Sequence, residues 1–167
     1  METQSKASES LKKVHDMIED IRIAMMTTVD EQENLVSRPM AVAQIDEHND
    51  IWFFTKRSSP KVDQIDQNQH KVNLSFANAD DSDYVSVSGT GQEVDDQAKI
   101  DELWNPQVKA WFPEGKEDPE LILLKVHIDM AEYWSANDSK MVRFFQQATA
   151  AVTGSPPKMG DNEKVYN

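Results

Sequence analysis

Apolar residues recur at helical spacing at Leu11, Val14, Ile18 and Ile21, which predicts an amphipathic helix over residues 8–20. Beyond it the apolar positions shorten into strand-like runs separated by polar turns. Arg22–Val29 is the first predicted strand, and its unbroken Ile23–Met26 run suggests burial on both faces. After the turn Asp30–Asn34, Leu35–Ile45 alternates as a second strand with Val36, Arg38, Met40 and Val42 on one side. Ile51–Thr55, Val72–Phe76, Tyr84–Val94 and Leu121–Tyr133 complete the set, with acidic turns at Glu47–Asp50 and Asp80–Asp83. Gly89 and Gly91 inside the fifth strand point to a bulge or a close backbone approach. Helices are predicted from Pro60 to about Asp66, over Ala98–Trp104, briefly after Asn105-Pro106 until Phe112-Pro-Glu-Gly115, and over Ser139–Val152.

Six short strands, turns between most of them and few intervening helices predict a small closed antiparallel barrel. A parallel doubly wound sheet would need a helix after nearly every strand. Residues 1–153 read as one domain. From residue 154 to 167 periodicity is lost, which predicts a mobile tail.

Composition narrows the function. A chain of 167 residues with 38% hydrophobic content has material for one domain with a sizeable core. Its formal charge of −13 argues against a broad basic face for nucleic acid or an anionic membrane. The absence of cysteine excludes a disulfide framework, a thiolate metal site and a cysteine nucleophile. His15, His48, His70 and His127 are scattered without paired-ligand spacing, and the acidic turns lack the glycine and distal glutamate of a calcium loop, so no metal site is expected. Gly89-Thr-Gly91 lies within a strand and is not a dinucleotide fingerprint. Met1–Ser10 is polar and no run approaches a membrane span, so the expectation is a soluble cytoplasmic protein. No residue set marks a catalytic acid or base.

Against this acidic background, Thr55-Lys-Arg-Ser-Ser-Pro-Lys61 carries three cations next to a predicted helix start. Ser58 or Ser59 can cap that helix, Pro60 suits its first turn, and Lys61 adds charge where N–H groups are unpaired. Such a place is an anion seat. Arg38 lies in a mostly apolar strand, where it must reach solvent, pair with a carboxylate or hold a ligand's charge. A phosphate suits it, because a guanidinium engages phosphate through two parallel hydrogen bonds. Pro39 supplies no N–H and predicts a break in the ladder that leaves backbone groups for a ligand's ring. Trp104 and Trp111 are spaced for one face or an oligomer contact, and Trp134, at a strand end, can wall a flat ligand or close the barrel.

Taken in order, Ser37-Arg-Pro-Met40, Trp52-Phe-Phe-Thr55, Ser59-Pro-Lys61, Tyr84-Val-Ser-Val-Ser-Gly89, Glu102-Leu-Trp104, Ala110-Trp-Phe-Pro113, Asp118-Pro119 and Ala131-Glu-Tyr-Trp134 resemble the pyridoxamine 5′-phosphate oxidase-like superfamily, in its general stress protein branch. The likeness covers about residues 10–150. It implies a six-stranded antiparallel split β-barrel with peripheral helices, a homodimer, and flavin at the subunit interface. It implies that Arg38 and Lys61 hold an FMN phosphate with Ser59 as hydroxyl donor. By the same likeness Pro39 and Met40 border the isoalloxazine, Phe54 and Thr55 line its edge, and Trp134 closes the pocket. FAD fits the same seat if its adenylate extends into solvent. The segment after Trp134, Ser-Ala-Asn-Asp-Ser-Lys140-Met-Val-Arg143, lacks the histidine of true pyridoxamine phosphate oxidases, and Pro60 stands where a second basic residue is usual. The expected function is therefore an FMN-dependent oxidoreductase that does not oxidise vitamin B6. Two alternatives are a flavin-sequestering stress protein and a barrel that has lost its cofactor.

Overall fold

A computed structural model describes residues 2–135 and 161–166, with side chains over 8–135 and 163–166. The first helix, α1 (Glu2–Ile21), buries Val14, Met17 and Ile18, the stripe its periodicity predicts. It leads directly into β1 (Ile23–Val29), which pairs antiparallel with β2 (Leu35–Ala41). Then follow β3 (Gln44–Ile45), β4 (Asp50–Lys56), α2 (Pro60–Gln67), β5 (Lys71–Asn78) and β6 (Asp83–Val94). The chain continues through α3 (Gln97–Leu103), two single 3-10 turns, β7 (Leu121–Ser135) and β8 (Asp161–Tyr166). No helix among the described residues is long and apolar enough to cross a membrane.

The strand order is β2-β1-β5-β6-β7-β4-β3, with β8 added on β7. The two ends of this order, β2 and β3, are consecutive pieces of the single stretch predicted as Leu35–Ile45. At Val42 the backbone N–H donates to Arg22 O at 2.8 Å, and at Ala43 it donates to Trp52 O, also at 2.8 Å. Pairing thus passes from the β1 side to the β4 side within two residues, and the chain itself joins the sheet's edges. Inside lies one apolar cluster, to which Met26, Phe53, Leu74, Phe76, Val87 and Ile128 contribute from five strands. A second, smaller cluster around Trp52, Ile100, Phe112 and Leu123 packs α3 and the following turns against the other side of β4 and β7.

The split barrel has eight strands among the described residues where six were expected, for two reasons. The second predicted strand divides into β2 and β3, and a further strand forms within the predicted tail. Residues 161–166 pair with Met130–Ser135 because Val165, only 3% exposed, enters the core. Burying such a side chain is worth roughly 1.5–3 kcal/mol, and the six-residue ladder with β7 adds to it. Ser10 on α1 also donates to Glu163 at 2.8 Å. The predicted Ser139–Val152 helix and residues 154–160 of the predicted tail lie outside the described residues.

Two other expectations are corrected. The outer face of β1 is open among the described residues: Ile23 is 50% and Met25 42% exposed, and no described element covers that side. The ladder also runs unbroken through Pro39, which sits opposite Met25. β2 ends the sheet order, and an end strand tolerates a residue without an N–H.

Both readings of Gly89 are met. The β6–β7 register shifts between Ser88 and Gly89, and a Cβ built on Gly89 would lie 2.5 Å from His127 O and 2.7 Å from a Val126 methyl. Gly89→Ala should therefore cost about 2–3 kcal/mol of folding free energy, because the backbone it meets has little room to yield. Chemical denaturation monitored by circular dichroism would measure it, and a loss below a few tenths of a kcal/mol would contradict the close approach.

Candidate functional site

Directly across the β1–β2 ladder, Arg38 faces Met26, a core residue, so its side chain rises from the inner face of the barrel. There it is partly buried and makes three donations. Nη1 reaches Thr28 Oγ1 at 2.6 Å and Met26 O at 3.3 Å, and Nη2 reaches Gln64 Oε1 at 3.1 Å. Thr28 in turn donates to Gln64 Oε1 at 2.6 Å. Gln64 comes from α2, which buries Val62 and Ile65 against the barrel and whose C-cap residue Asn68 donates to Val29 O at 2.9 Å. α2 is thus fixed over the end of β1, with Arg38 and Thr28 beneath it.

Lys61, in the first turn of α2, is half-buried beside this group. Burial first, and the nearby Arg38 charge second, lower its pKa from the ordinary lysine value of 10.5. Burial also lowers the Arg38 pKa. Among the described residues neither cation is paired with a carboxylate, although the chain carries thirty acidic residues against seventeen basic ones. Every partner of Arg38 is a neutral acceptor, and the Lys61 ammonium donates to the Ser59 hydroxyl. Ser59 occupies the N-cap position of α2 with extended φ −73° and ψ 132°, yet its side chain caps no backbone N–H. The capping expected of Ser58 or Ser59 is thus absent, since Ser58 donates to Glu120 instead. Arg57 leaves the cluster as well, pairing with Asp95 at 2.7 Å.

The other predicted residues divide between the faces. Met40 lies on the Arg38 side and packs partly against the core. Thr55 shares the inner face of β4 with Ile51 and Phe53. It is 4% exposed, and its Oγ1 is the one buried side-chain polar atom among the described residues without a hydrogen-bond partner. Phe54 points to the opposite side and meets Trp104 edge-on, ring centroids 6.0 Å apart. Pro39 faces out next to exposed Met25. Trp134 alternates with the core residues Ala131 and Tyr133, so it faces out opposite Tyr84. Trp111 is 76% exposed. The structure therefore gathers Arg38, Ser59 and Lys61, adds Met40 and Thr55 on the inner face, and leaves Pro39, Phe54 and Trp134 on outer ones. Lys140 and Arg143 lie outside the described residues.

Sequence reasoning missed Thr28 and Gln64. Their signal was present: Thr28 continues the inward alternation Ala24, Met26, and Gln64 lies one helical turn from Lys61 at i, i+3.

Chemically, two uncompensated cations, a hydroxyl and an uncapped helix start form a seat for a doubly charged anion. A phosphomonoester fits this donor set, and the orphaned Thr55 hydroxyl is a further polar atom on the same inner face.

Comparison with known proteins gives a consistent picture. A family model described as pyridoxamine 5′-phosphate oxidase like matches residues 9–158. Protein bli-3 of Neurospora crassa is 29% identical over 166 residues, covering 93% of this chain and 79% of the Neurospora protein. A structure assigned as general stress protein 26 from Jannaschia sp. CCS1 superposes with a TM-score of 0.77 at 24% identity, covering 96% of this chain and 99% of that one. The general stress FMN/FAD binding protein of Xanthomonas citri gives 0.66 at 32% identity, covering 76% of this chain and 89% of its own.

Because Lys61 has a lower pKa folded than unfolded, the unfolded chain holds more protons between the two values. Stability therefore rises with pH through that window, and at neutral pH the charged Lys61 is a cost. Ligand-free Lys61→Met should melt above wild type at pH 7, and the gap should narrow as pH rises toward 10.5. Equal melting temperatures across the range would remove the repulsion argument.

Proposed function

The chain belongs to the pyridoxamine 5′-phosphate oxidase-like family, and from that premise we propose that it binds FMN with the flavin phosphate seated between Arg38 and Lys61. The observation that carries this reading is that two half-buried cations sit together, neither bound to a carboxylate among the described residues, in so acidic a chain. Such an arrangement is unfavourable alone and becomes favourable when an anion arrives, since each charge-assisted bond replaces repulsion. Ser59 offers a hydroxyl, and the first turn of α2 offers N–H groups that no side chain caps. The similar protein from Xanthomonas citri is described as FMN/FAD binding, which supports the same ligand class here.

The outward positions of Pro39 and Trp134 fit a flavin whose ring lies on the outer sheet surface against a second copy of the chain. Ile23 and Met25 on β1 and Tyr84 on β6, the two strands that flank β5, are exposed apolar side chains that no other described residues cover. A homodimer covers them. Bound flavin supplies two-electron redox chemistry, so an oxidoreductase built this way needs from the protein binding, orientation and electrostatics. Reduction of the bound flavin by NAD(P)H in a stopped-flow trace distinguishes turnover from flavin storage.

Arg38→Ala and Lys61→Ala should each weaken FMN binding by about 1–3 kcal/mol, the scale of a hydrogen bond to a charged group. Riboflavin, which lacks the phosphate, should bind both variants as it binds wild type. Flavin fluorescence titration measures both, and unchanged FMN affinity in the two variants would refute the seat. Light scattering should report a dimer that Met25→Glu shifts toward monomer. A wild-type monomer at micromolar concentration would remove the dimeric reading.

A further inference from the structure

The hydrogen bonds around Arg38 run in one direction only. Guanidinium has donors and no acceptor, so the Gln64 atom 3.1 Å from Nη2 must be the carbonyl oxygen. Thr28 Oγ1 receives Nη1 at 2.6 Å, so its own proton points to that same Gln64 oxygen, 2.6 Å away. The ring Arg38→Thr28→Gln64←Arg38 has no alternative polarity. It holds both terminal nitrogens of the guanidinium, and it does so with oxygens that carry no charge.

A carboxylate partner would both hold a partly buried arginine in place and cancel its charge. Here the two effects are separated. Gln64 differs from glutamate by one amide group, so the same shape with a full negative charge was sterically available at this position. A carboxylate there would pair with Arg38 and screen Lys61 as well.

We propose that Gln64 is a positioning residue of the anion seat: with Thr28 it fixes the Arg38 guanidinium while leaving the charge of Arg38 and Lys61 intact for a phosphomonoester. This rests on the reading of Arg38 and Lys61 as a phosphate seat. Gln64 sets the direction of the guanidinium, and its neutrality sets how strongly the seat prefers a dianion over an uncharged ligand.

The experiment compares FMN and riboflavin affinity, by fluorescence titration of the full chain, in wild type, Gln64→Glu and Thr28→Val, alongside thermal melting without ligand. In wild type FMN should bind at least about tenfold tighter than riboflavin. Gln64→Glu should reduce that ratio by about tenfold or more, leave riboflavin affinity unchanged, and melt at or above wild type, because a carboxylate beside Arg38 offsets the repulsion between two half-buried like charges. A merely structural glutamine would instead lower the melting temperature and weaken both ligands together. An unreduced FMN-to-riboflavin ratio in Gln64→Glu overturns the proposal. If that variant does not fold, Thr28→Val, which leaves Nη1 only its longer bond to Met26 O, should lower the ratio severalfold, and an unchanged ratio there overturns it equally. A wild type without preference for FMN means that the phosphate reading itself has failed, a result distinct from a preference that survives Gln64→Glu.

Discussion

Two positive charges held near each other away from bulk water constrain much of this molecule. Like charges at a few ångströms repel by an amount that grows as water is excluded. Arg38 and Lys61 nonetheless sit together, one rising from the inner face of β2 and the other from the first turn of α2. What keeps them there is apolar burial elsewhere on the same elements. Val62 and Ile65 anchor α2 by their own burial, and Met26 anchors the strand beside Arg38. The seat therefore exists because the surrounding core is worth more than the repulsion it tolerates.

The same logic explains which cations stayed out. Arg57 is two residues from Ser59 and four from Lys61, but it is exposed and close to Asp95, and solvent and that carboxylate together give it a better position. Its removal leaves the pocket with two charges that pair with no carboxylate among the described residues. A site defined by charge balance is thus assembled as much by diverting ions as by recruiting them.

Much of this was legible in the chain. Strand alternation set Arg38 and Met40 on one side of β2, and the Ser-Ser-Pro-Lys run located the start of α2. Sequence spacing could not show that Thr28 and Gln64 meet Arg38, because their separations of 10 and 26 residues are closed only by tertiary packing. The open outer face of β1 was misjudged because an apolar run looks alike whether its second face meets its own core or remains available. β8 was missed because six polar-rich residues need only one buried valine and a waiting edge to become a strand. Phe54 and Thr55, neighbours in sequence and grouped by resemblance, separate onto opposite faces by the simple two-residue period of a strand.

The change of partner at Val42 and Ala43 has a mechanical consequence. Most barrels are sealed by a ladder of hydrogen bonds, and widening one means breaking several at once. Here the seam is a covalent crossing, so its two lips cannot part, and a hydrogen bond on each side ties the crossing to the flanking ladders. The strand bearing Arg38 and the strand bearing Thr55 stand on either side of that crossing. One short stretch of backbone thereby sets how far apart those two strands can lie, as a stitch holds two hems.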